Sequence, residues 1–181
     1  MTTVSSQPDA ASAVLAALAG RMPANEVRAL RDAAVLTSEQ RTAIALLALG
    51  EDRLTVADAL VISPCDLRVL LRTASQVLHC PARAAALVHA CYAHPAHPLP
   101  AMDKRRCPEL TKQQWMLLYG HAHGVPLSRL QPRAGVSLFR LAQASSRFQE
   151  SLGARTSAHL VRRAWQRGLL SRRSVKNTAA R

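Results

Sequence analysis

The sequence predicts an all-α protein. Ala and Leu dominate its apolar residues, only seven glycines occur in 181 residues, and β-branched side chains are thin, so intrinsic preference favours helix along the whole chain. Trp, Tyr and Phe occur twice each. The length suits one large domain or two small ones with modest cores, and the charge distribution favours two. Residues 110–181 hold thirteen Lys/Arg against one acid, Glu150, whereas residues 36–99 hold five basic and five acidic side chains and cancel. Such a density of cations seeks a polyanion, while a neutral first half is kept for another purpose.

The elements follow from punctuation residues taken in order. Residues 1–35 carry two short amphipathic helices, near 10–20 and 24–34. Sliding the chain along itself by 74 residues then aligns Leu36-Thr37 with Leu110-Thr111, Gln40 with Gln114, Gly50 with Gly124, Ser63 with Ser137, Leu78 with Leu152 and Ala84 with Ala158, with no gap. Each unit opens with a capping box, because Thr37 and Thr111 can accept from an N3 amide while Gln40 and Gln114 reach back to the cap. Gly50 and Gly124 suit the left-handed residue that ends the first helix. A short segment follows, 55–60 and 128–134, then a turn at Val61-Ile62-Ser63 and Gly135-Val136-Ser137. Ser63, with Pro64 at the first helical position, and Ser137 cap a longer third helix. A last helix closes each unit, roughly 82–92 and 157–170. A short and a longer helix meeting at a tight turn, twice, is the helix-turn-helix plan. The expected organisation is an N-terminal segment 1–35, a first unit 36–93, a linker 94–109, a second unit 110–170 and a basic, disordered tail 171–181.

On those residues the second unit resembles the LuxR-type (NarL/FixJ-like) DNA-binding domain of bacterial transcription regulators. The resemblance covers about 60 residues, from Leu110-Thr111 and Gln114 through Gly124 and Gly135-Val136-Ser137 to the closing run Leu152-Gly153-Ala154-Arg155-Thr156 and Leu160-Val161, the most specific stretch. The first unit is similar but weaker. The likeness implies a four-helix fold whose third helix enters the major groove of double-stranded DNA and whose fourth helix often pairs subunits, hence a homodimer. Ala142 and Ala144 depart from the Lys and His usual there, which shifts the implied sequence preference. Pro132, inside the short second helix, removes an amide or kinks it unless that helix is a single turn.

In the third helix of the second unit, Leu141, Ser145, Phe148 and Leu152 recur at helical spacing and face the core, leaving Arg140, Gln143 and Arg147 together on the other side. Arg pairs bidentately with guanine or holds phosphate, and Gln does the same for adenine. Arg129, Arg133 and Ser137 flank this row as phosphate contacts, with Arg155 and Arg162 further out. The same row in the first unit reads Asp66, Val69 and Thr73, which cannot attract phosphate. With Leu70 it is assigned to dimerisation or to a protein partner.

Other function classes fall away on the residues. The few carboxylates are scattered, no Gly-rich phosphate loop occurs and no nucleophile stands in a recognisable motif, so no enzyme, catalytic residue or cofactor is expected. His89, Cys91, His94 and His97 lack ligand spacing and read as solvated linker histidines, with no metal. His121 and His123, at a helix end, favour the helix dipole. Lys104-Arg105-Arg106 adds a short basic run. Trp115 and Trp165 are expected to pack within the second unit. No apolar run approaches the roughly 18 residues of a membrane span, and four scattered cysteines suit reduced thiols in a bacterial cytoplasm. Three functions remain: a transcription regulator that binds DNA through the second unit, an adaptor that docks its helix-turn-helix units on another regulator or on RNA polymerase, and an architectural nucleic-acid binder without sequence choice.

Overall fold

Eight α-helices and no strand occur among the residues described by the computed structural model, namely Val14, 21–23, 35–103 and 109–172. The first unit comprises α1 (Ser38–Ala48), α2 (Arg53–Leu60), α3 (Pro64–Val77) and α4 (Ala84–Ala93). The second comprises α5 (Lys112–Ala122), α6 (Leu127–Ala134), α7 (Leu138–Ser151) and α8 (Ser157–Gln166). Both helices expected in the N-terminal segment lie outside the described residues, apart from Val14, which is helical. Cys107, the basic run 104–106 and the tail beyond Arg172 also lie outside them.

The duplication is geometric. The bounds of α1, α2 and α3 map onto α5, α6 and α7 by adding 74 to each residue number. Both capping boxes form, with Thr37 accepting from the Gln40 amide and Thr111 from the Gln114 amide at 3.2 Å each. The left-handed positions also repeat: Gly50 and Gly124, Val61 and Gly135, His79 and Gly153 all have positive φ. Val61 and His79 therefore hold, with a Cβ, conformations that their sequence partners hold as glycine. The ungapped register fails only at the last helix. The N-caps of α4 and α8, Arg83 and Thr156, lie 73 apart, so the connection around Pro81-Ala82-Arg83 is one residue longer than its counterpart.

The two units do not have separate cores, as the length and charge division suggested. Buried residues from both form one continuous apolar cluster. At its centre α4 and α8 make the broadest helix contact among the described residues, α4 also packs on α5, and α8 on α1. The reason is visible in α4, where Ala85, Ala86, Leu87, Val88, His89, Cys91 and Tyr92 are all buried. A helix apolar on every side cannot rest on one neighbour alone. Around the pairing axis, contacts come in twos. A Cβ on Gly50 would meet His159 and Arg155, and one on Gly124 would meet Ala86 and Pro81, the residues that correspond to them. The chain is thus built like a dimer of its two halves, joined through their fourth helices.

Each pair of a short and a longer helix, α2–α3 and α6–α7, packs on the first helix of its own unit and adds residues such as Leu60, Leu67, Leu130 and Leu141 to the shared core. Pro132 sits inside the eight-residue α6 and forgoes one helical hydrogen bond. The Gln131 side chain braces the following turn by donating to the Val136 carbonyl at 3.1 Å.

Candidate nucleic-acid interface

Helix α7 begins because the Ser137 side chain accepts from the Arg140 amide at 3.3 Å, which fixes the rotation of every later residue. Leu141, Ser145, Phe148 and Leu152 are buried as their spacing requires, and Arg140, Gln143 and Arg147 stand exposed on the opposite side. From Arg140 to Arg147 is about 10 Å of helix, at roughly 1.5 Å per residue. Arg129 and Arg133, on α6, are exposed as well. Among the described residues none of these four guanidinium groups pairs with a carboxylate. The only acid on α7 is Glu150.

Helix α3 occupies the corresponding place with different chemistry. Ser63 accepts from the Asp66 amide at 3.1 Å, as Ser137 does from Arg140, so Asp66 and Arg140 are equivalent third residues of equivalent helices. Asp66 has a local task that its charge alone did not reveal: its carboxylate accepts from the Ser63 hydroxyl at 2.7 Å and closes the cap from the other side. Val69 and Thr73 are exposed and Leu70 is half-buried, and with Asp66, Glu39 and Thr37 they border a shallow hollow of about 270 Å³.

Two arginines expected at the edge of a phosphate contact are engaged inside the protein. Arg162 is only 3% exposed, and its guanidinium donates to the Tyr92 hydroxyl of the first unit at 2.8 Å. It cannot reach an external anion without dismantling the α4–α8 contact. Arg155 is exposed, but its Nη2 donates to the Leu49 carbonyl at 3.1 Å and to Glu51 at 3.3 Å. Glu51 also meets Arg21 at 2.5 Å, and that hydrogen bond, with Arg155 beside it, holds its carboxyl below the usual range. Arg172, placed in the tail by sequence, donates to the carbonyls of Tyr92, His94 and His97 and ties the end of the second unit to the first.

The histidines also differ from expectation. His89 and His97 are buried rather than solvated, and burial pushes each imidazole down to about 4. His121 reaches across to Ser145 at 2.8 Å, where the first unit has buried Leu47 and Leu71 at the corresponding positions. Trp165 is buried and its ring meets His89 and Tyr92 of the first unit. Trp115 is half-buried and stacks on Tyr119, 5.6 Å between ring centres. One surface feature lies outside the sequence-based expectations: Leu138 and Phe139, at the head of α7, are exposed, Phe139 by 76%. Two apolar residues directly after a capping Ser were the available signal.

Among the described residues no three of His, Cys, Asp and Glu gather closely enough to share a metal ion, and no helix is long and apolar enough to cross a membrane. No family model, curated protein or solved structure matches this chain.

Proposed function

We propose that the protein binds double-stranded DNA with α7 in the major groove and acts as a bacterial transcription regulator. The carrying observation is the row Arg140, Gln143 and Arg147, exposed on the second helix of a helix-turn-helix and free of acidic partners among the described residues. Ser137, Arg133 and Arg129, exposed on the helix and turn before the row, are assigned to phosphate contacts, and the row itself to reading bases along one groove. Helix α3 carries Asp66 in place of Arg140, repels phosphate, and is assigned with Val69, Leu70 and Thr73 to a protein surface. The likeness to LuxR-type domains supports the same reading for the second unit. In that family the fourth helix often pairs subunits. Here α4 and α8 already pair within one chain, so we assign one chain, rather than a homodimer, to each site.

The test is duplex binding measured by fluorescence anisotropy across a salt series. Replacing Arg140 and Arg147 by Ala weakens binding at least tenfold and lowers the salt slope, by about 0.9 for each phosphate no longer neutralised. Unchanged affinity removes α7 from the groove. Sedimentation of the complex gives one chain per duplex on this reading.

Exposed Leu138 and Phe139 favour a second reading, an adaptor whose α7 docks on another protein. An adaptor retards no random duplex at low or moderate salt in a gel shift.

A further inference from the structure

The head of α7 carries a side chain that neither the core nor the cap accounts for. Phe139, the second residue of the helix, is 76% exposed. At roughly 100° per residue it lies within about 20° of the line directly opposite buried Leu141, and Gln143, one turn on, lies equally close to that line on its other side. The ring therefore stands at the foremost point of the outward face. Left in water there, it forgoes the gain that burying an aromatic side chain brings.

Its surroundings indicate what would cover it. The exposed neighbours of Phe139 on that face are Arg140, Gln143, Ser146 and Arg147, and Leu138 is the only other exposed large apolar residue on α7. A surface that docks on protein gathers apolar side chains into a contiguous patch. One ring set among cations and an amide suits instead a surface that is apolar at points and anionic around them. The major groove has that character, because each thymine projects a C5-methyl group among the donors and acceptors of the base edges, between two rows of phosphate. Glu150, the only acid on α7, stands eleven residues beyond Phe139, roughly 16 Å along the helix. The end of α7 fit to approach the bases is thus the end that carries the ring. In the first unit the same position is Cys65, exposed but with no ring to offer.

We propose that Phe139 sets part of the sequence preference by packing against the C5-methyl group of a thymine, beside the base edge read by Gln143. This assignment rests on the reading of α7 as the DNA-binding helix. Phe139 selects an A·T pair through apolar contact, whereas Arg140, Gln143 and Arg147 select through hydrogen bonds.

The full chain is used to select sites from a random duplex pool at low salt, and the recovered site is remade with each thymine replaced in turn by deoxyuridine, which removes only the methyl group. Fluorescence anisotropy reads the affinity of each duplex. The wild-type protein is expected to bind about fourfold more weakly at one substituted thymine, the scale of burying one methyl group. Phe139→Ala binds the unmodified site more weakly, no longer distinguishes thymine from deoxyuridine at that position, and keeps the wild-type salt slope because no phosphate contact is lost. Circular dichroism melting checks that the variant folds, and the deoxyuridine series on the wild-type protein needs no variant. A recovered site in which every deoxyuridine is tolerated, a site without thymine, a methyl preference that persists in folded Phe139→Ala, or a pool that returns duplexes with no common sequence overturns this inference while leaving duplex binding in place. Recovery of no duplex at all overturns the DNA reading together with it, and favours a protein docked on Leu138 and Phe139.

Discussion

Two arginines in the basic half show how location decides what a cation does. Arg140 projects from α7 into solvent, whereas Arg162 is buried against Tyr92, seventy residues upstream. Arg162→Ala therefore lowers stability by roughly 2–4 kcal/mol, the scale of breaking a buried charged hydrogen bond, and Arg140→Ala changes it by less than about 0.5 kcal/mol. Thermal melting of the two variants separates them, and equal melting temperatures refute the assignment of Arg162 to the interior. The outward row was legible from sequence because helical spacing fixes which residues oppose Leu141 and Phe148. The role of Arg162 was not, since its partner is set by packing between units and no local pattern encodes that. Arg155 escapes a sequence-based assignment for the same reason, its acceptors being Leu49 and Glu51.

At the scale of elements, the signals that held were the local ones. Thr37 and Thr111 start α1 and α5 through complete capping boxes, and Ser63 and Ser137 start α3 and α7. A cap is an interaction within three residues, so its chemistry is written contiguously. Thr111→Ala is expected to cost about 1 kcal/mol, and Thr37→Ala a similar amount, each visible as a lower midpoint in urea unfolding. A drop at only one of the two would show that the repeated caps have unequal weight. The register of α4 departs by one residue from the ungapped repeat, and the longer connection before it carries no capping side chain to mark the shift: Arg83 makes no cap bond, whereas Thr156 does. Burial of α4 on all sides is written in its run of Ala, Leu and Val, but the proline-rich segment that follows it has the composition of a solvated linker.

The whole molecule carries several neutral imidazoles in its interior, and their effect on stability has a definite sign. Burial lowers His89, His97 and His159 to about 4 each, whereas in the unfolded chain they titrate near 6.5. Between those values the unfolded state binds more protons, so stability is complete above about pH 6.5 and falls as pH drops toward 4. Melting at pH 7.5 and 5 checks this, and His97→Phe flattens the profile if the buried ring is responsible. A melting temperature that rises on acidification contradicts it.

Joining the paired halves covalently changes what mutation can do to them. Across the symmetry axis of two identical chains, every substitution arises twice and must suit its own image. Tyr92 faces Arg162, His89 faces Trp165, and Asp66 stands where its counterpart is Arg140. Two identical chains would hold the same residues at both related contacts, so these differences between the halves could not exist in a symmetric assembly of one kind of unit. A lineage that carries both copies on one polypeptide is free to specialise each, and cannot lose one half by dilution.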